Sequence, residues 1–267
     1  MKIQMFWKLA AISVALGLGW ARADHTREVN IYSFLTPAGE KLTPPTAGHP
    51  ATCLLMNGGY HEEGALVAGE KPVAPGKIEP LVLKALATAH YMSYVPEKFP
   101  HDATELDYII VYSWGYMNPS EDSDPSSDDS TTTVTFNGAS MLALVAGDSI
   151  SRMTPNTMDW EDAMAAAEDS RYFVLIAAYS PAAYINKHER KLLWRAQMSL
   201  PSNGITLDQS VGALVDSSVG YLGRQTNTPK QVFENMDRPS HVILGTPETK
   251  EYLPATGSSK PNATQKP

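Results

Sequence analysis

One cysteine, Cys53, stands in 267 residues. No internal disulfide can form, so stability has to come from a hydrophobic core. Long apolar runs are also scarce. The only prominent one, Leu9–Trp20, is 12 residues long, short of the ~20 a helix needs to cross a bilayer. The chain has no glycine-rich phosphate loop and no G-x-S-x-G nucleophile elbow. Its seven histidines are scattered, and none lies at a spacing that pairs it with a nucleophile. Positive charge is outnumbered, 21 Lys and Arg against 29 Asp and Glu. That balance repels nucleic acid and anionic membranes, and it is first of all a solubility device.

What is present begins at the N-terminus. Lys2 and Lys8 precede the apolar run, and Ala21-Arg22-Ala23 fits the small-x-small rule of signal peptidase. Residues 1–23 therefore read as a signal peptide, with cleavage between Ala23 and Asp24. The remaining chain carries 18 basic and 29 acidic residues, or −11. It contains no further run long enough for a transmembrane span. The expected address is periplasmic or extracellular, with an envelope protein as possible partner and no nucleic acid.

Residues 24–50 read as an irregular lead-in with a short strand near Val29–Leu35. Residues 51–223 read as a single α+β domain, with an insertion at about 118–170. Thr52–Met56 has β character, Asn57-Gly58-Gly59 signals a turn, and Ala65–Val67 suits a return strand. Ile78, Leu81, Val82, Ala85, Leu86 and Ala89 recur at helical spacing, which predicts a helix ending near His90. Tyr91–Val95 and Asp107–Trp114 read as strands, with Gly115 as an end or a bulge. Asn118–Thr133 is acidic and hydroxyl-rich, too poor in apolar residues to order itself. Two short helices are expected over Met141–Val145 and Asp159–Asp169.

The domain is organised around Arg171–Arg195. Arg171–Ser180 is apolar on both alternations, as in a central strand covered on both faces. Lys191–Leu200 alternates with one wet face, broken only by Leu193. Thr206-Leu-Asp-Gln209 fits a capping box, and Leu207, Val211, Leu214, Val215, Val219 and Leu222 give the following helix one apolar face. Residues 224–267 read as a polar, Pro-rich, largely disordered tail, with a short strand at His241–Leu244. The predicted fold is two-layer α+β: a mixed central sheet of about four to six strands carrying two main amphipathic helices.

No catalytic, metal or cofactor set emerges. His61-Glu62-Glu63 lacks the second histidine one helical turn on, since that position is Ala65. In the acidic loop Glu121–Asp129, a calcium loop starting at Asp122 would need Gly and Glu where Ser127 and Thr133 stand. Leu253–Gly257 matches a sortase signal, but no apolar span follows it. Cys53 reads as core. Trp194 and Arg195 are the most distinctive pair, either an inward Trp beside a surface Arg or a recognition edge.

The helix ending KALATAHY, the strand DYIIVYSWG and the strand KLLWRAQM resemble exported bacterial envelope proteins of unknown function. Related domains of that kind occur on lipoproteins. The resemblance spans 78–114 and 171–222 and implies no catalytic residues. The expected function is a structural or binding role in the envelope. The alternative is a secreted hydrolase whose site is assembled only in space.

Overall fold

The computed structural model describes residues 26–64, 71–94, 106–119 and 138–236. Among these residues, seven strands form one mixed sheet: β1 (Thr26–Leu35), β2 (Ala51–Glu63), β3 (Tyr91–Ser93), β4 (Tyr108–Met117), β5 (Arg171–Tyr179), β6 (Leu192–Pro201) and β7 (Lys230–Asn235). Their spatial order is β3-β2-β4-β5-β6-β1-β7. The pairs β2–β3 and β2–β4 are parallel, and every other pair is antiparallel. The α+β class and the mixed sheet are as expected, with a strand count slightly above the predicted range. The both-face-apolar strand β5 lies at the centre of the order.

Alternation along β5 splits it between two cores. Tyr172, Val174, Ile176 and Ala178 enter the larger one, while Phe173 and Leu175 face the smaller one. The larger core is closed by α1 (Pro75–Thr88) and α5 (Leu207–Ser218), while the short α4 (Pro181–Lys187) joins β5 to β6. Pro75 opens α1, where a missing N–H costs nothing. Ile78, Val82, Ala85 and Leu86 form its buried stripe. The capping box of α5 is complete: Thr206 Oγ1 accepts from Gln209 N–H, and Gln209 Oε1 accepts from Thr206 N–H. Outside, Lys77 pairs with Asp208 and Lys84 with Asp216, tying the two helices together on the solvent side.

The rings of this core come from alternate positions on neighbouring strands. Tyr112 and Trp114 stack at 5.7 Å. Tyr91 meets Tyr108 at 5.4 Å and Trp194 at 5.7 Å. Trp114 Nε1 donates to Val73 O at 3.1 Å, satisfying its only polar atom. The opposite face carries α2 (Gly138–Val145), a 3-10 helix over Gly147–Arg152, and α3 (Met158–Glu168). Their core is small: Met117, Met141, Leu144, Val145 and Phe173, with alanines from α3. The insertion expected at 118–170 thus supplies the cover of the second face.

Four expectations change. Asn57-Gly58-Gly59 is no turn, because β2 runs through it with a register shift between Asn57 and Gly59. Gly59 takes φ +94°, and Asn57 Oδ1 accepts from its N–H at 2.8 Å. This is a bulge, the other use of an Asn-Gly pair. His61-Glu62-Glu63 therefore lies within a strand. Gly115 neither ends nor bulges β4; a Cβ there would fall 1.7 Å from His61 O, so only glycine lets the two backbones meet. The wet face of β6 is dry at Gln197 and Ser199, which the insertion buries. The tail is expected from residue 224, but Lys230–Asn235 is the edge strand β7. Polar side chains hid it, because an edge strand keeps much of its surface in water. Residues 1–23, Ala65–Val67, Glu121–Asp129, His241–Leu244 and Leu253–Gly257 lie outside the described residues.

Candidate functional site

The insertion-covered face carries the site. Arg171 opens β5 and is 2 % exposed. A guanidinium is so hydrophilic that its burial demands partners for its donors. Here Nε donates to Ser199 Oγ at 3.1 Å, Nη2 to Ser199 O at 3.3 Å and Nη1 to Ala166 O at 3.3 Å. With the Asn30 amide oriented to satisfy both of its ends, its oxygen accepts from Arg171 Nη2 and its nitrogen donates to Glu28 Oε1, each at 3.2 Å. One residue thus links β1, β6 and α3. Burial pulls the Arg171 pKa down to about 10, against the opposing pull of Asp169 and Glu28. At neutral pH it stays charged.

Gln197 repeats the pattern one step along. Its amide donates to Leu144 O at 2.8 Å and also to Ala143 O. These are carbonyls of the last turn of α2, which have no partner within the helix. The cover is thus held by a small apolar core and by two polar pins rising from the sheet.

Above Arg171 opens a cavity of about 420 Å³. Glu28, Asp159, Asp162 and Asp169 line it, together with Asn30 and Gln231. A second cavity of about 270 Å³ shares Met153, Asp159 and Thr228 with the first. A third, of about 340 Å³, shares Arg152 and Asn227 with the second. Together they form a groove between the insertion and the β1–β7 edge of the sheet. Glu28 lines one end and Thr36 the other. At ~3.3 Å per residue, those eight steps along β1 span about 25 Å. Glu40 and Asp148 add two carboxylates at the far end.

That far end also holds the rings of Tyr32 and Phe34, 6.4 Å apart. Arg195 lies over Phe34 with its guanidinium carbon 4.9 Å from the ring centre. Arg152 Nη2 reaches Tyr32 Oη at 3.3 Å. Among the described residues, the only ion pairs are the two between α1 and α5. None of the six groove carboxylates is in one.

The sequence-predicted pair separates. Trp194, 1 % exposed, packs against Tyr91 in the larger core. Arg195 points to the opposite face, as neighbours on a strand must. Trp194 is thus unavailable at any edge, and Arg195 alone borders the groove region, half-buried over Phe34. Cys53 is fully buried, and its thiol is pushed up to about 12, by desolvation first and by Asp107 second. That makes it unreactive at neutral pH. His61 sits exposed on β2 with Nε2 3.2 Å from Gly58 O. Among the described residues, no three His, Cys, Asp or Glu side chains are placed to hold a metal ion.

Sequence reasoning missed Arg171, Glu28, Asp162, Asp169 and Gln231 as a set. Separations of up to about two hundred residues leave no local signature. One signal was readable: an arginine heading a strand that is apolar on both faces has nowhere dry to go without partners.

No family model matches this chain, and no curated protein matches it. Among solved structures, a leucine-to-methionine variant of the PelC dodecamer from Paraburkholderia phytofirmans aligns at 10% identity, over 74% of this chain and 99% of that one, with a TM-score of 0.34. A second crystal form, the PelC dodecamer in space group P6, aligns over the same shares with a TM-score of 0.33.

Proposed function

We propose that this is an exported envelope or periplasmic protein whose role is binding rather than catalysis. The observation that carries the binding half is the groove itself. Its one deeply buried charge, Arg171, spends its donors on the protein's own Ser199, Ala166 and Asn30. Its carboxylates are left facing the cavity. Such a surface offers shape and charge to a ligand. The export half is supported by Lys2, Lys8, the apolar run and Ala21-Arg22-Ala23.

The test has two parts. Cell fractionation with N-terminal sequencing should find the protein outside the cytosol, starting at Asp24; a cytosolic chain retaining residues 1–23 overturns export. The purified protein should leave a broad panel of ester, amide, glycoside and phosphate substrates intact. Turnover of any one, abolished by a single substitution, overturns the binding role and selects the secreted hydrolase.

A further inference from the structure

We infer that the groove along β1 and β7 takes an extended, basic segment of a partner protein, one carrying an apolar side chain among its lysines or arginines. This rests on the binding role proposed above and names its ligand class. Three observations converge. The first is shape: three cavities sharing lining residues run in line for about 25 Å. That length suits about seven residues of extended chain better than a compact small molecule.

The second is charge. Glu28, Glu40, Asp148, Asp159, Asp162 and Asp169 line the groove, against Arg152, Arg195 stacked over Phe34 and the internally engaged Arg171. None of the six carboxylates has an ion-pair partner among the described residues. Five of the six are exposed, and like charges lined along one groove attract a cationic chain. The third is exposed apolar surface on the same face. Phe233 is 67 % exposed and sits opposite Glu28 in the β1–β7 register. It therefore stands on the groove side, two residues along from Gln231. Met158, 79 % exposed, precedes Asp159 on α3. Large apolar side chains beside acids are the anchor points that a basic segment with an aromatic or aliphatic residue would use.

Isothermal titration on the exported protein tests this with four probes: a nine-residue peptide alternating lysine with leucine, the same design with glutamate for lysine, a neutral serine–leucine version, and spermine. The lysine peptide is expected to bind, and the other three to bind at least about tenfold more weakly. Binding should weaken as salt rises from 50 to 300 mM. The double variant Asp159→Asn/Asp162→Asn should lose roughly tenfold in affinity, and Phe233→Ala about fivefold. Both changes are on exposed side chains, so folding is retained, which circular dichroism checks. The double variant Asp208→Asn/Asp216→Asn, on the opposite face, should bind as the parent does. Equal binding by the groove and opposite-face variants overturns the inference, as does spermine matching the peptide, which would make the ligand a small polycation. An envelope-located, non-hydrolytic protein that binds none of the probes overturns the ligand class and leaves the role above standing. Peptide binding by a chain that stays in the cytosol does the reverse.

Discussion

The two faces of one sheet are built on different principles. On the α1–α5 side, the strands contribute interlocking rings and the helices long aliphatic stripes. On the α2–α3 side, the buried apolar contribution is smaller: two methionines, one phenylalanine, Leu144, Val145 and three alanines. There the cover is pinned by Arg171 and Gln197 instead. Large apolar side chains close a face completely; small ones with polar pins leave room. The groove lies on the face that is closed by hydrogen bonds, where carboxylates can stand near a cavity without being buried. A binding surface needs such room, and the first face supplies the stability that lets the second do without a large core.

Substitutions should expose this asymmetry. Trp194→Ala removes a fully buried ring from the first face and should cost about 3–5 kcal/mol in urea unfolding; a loss below about 1 would mean that this face is not the main core. Arg171→Ala should cost about 2–4 kcal/mol by leaving Ser199, Ala166 and Asn30 short of donors. Its signature is regional: hydrogen exchange should speed up in α3 and α2 well before α5. Uniform acceleration would refute the idea of a separately pinned cover.

Alkaline pH probes the first face. The Cys53 thiol is held up at about 12 in the folded protein, against an ordinary value near 9.0. A folded pKa raised in this way contributes stability in full below pH 9, and loses it as pH climbs through 12. The loss should be on the order of 2 kcal/mol between pH 9 and 11. Cys53→Ala should flatten that stretch of the stability curve, and an unchanged slope would assign the alkaline loss to the buried tyrosines. Smaller still, Thr206→Ala should cost about 1 kcal/mol by opening the capping box of α5. Lys84→Ala should change stability by only a few tenths, as exposed ion pairs do.

How much of this was legible in the sequence follows the same divide. The first face was readable because its signals are local. The stripe of α1, the Thr206–Gln209 box and the alternation of β5 each sit within a dozen residues. The second face was not, because its signals come from distant parts of the chain. Gln197 and Ser199 look like the wet side of β6 until α2 covers the first and Arg171 the second. Asp159 and Asp162 look like dipole partners at the start of α3, and nothing in their neighbourhood points to Glu28. Asn57-Gly58 misled for another reason: the same residues serve a turn and a bulge, and the partner strand decides between them.

The position of β1 sets an order of events in time. Its residues 26–35 lie between β6, residues 192–201, and β7, residues 230–235. This first described strand to leave the ribosome can pair with neither neighbour until more than 150 further residues have followed it. Its second neighbour is the last described strand to be made. Closing so long a loop is slow, so the β1–β7 margin of the sheet, and with it the floor of the groove, is finished only after synthesis of the domain is complete. A chain that stays unfinished that long is still threadable, and a chain cut short before Asn235 would leave its first strand half-paired and exposed.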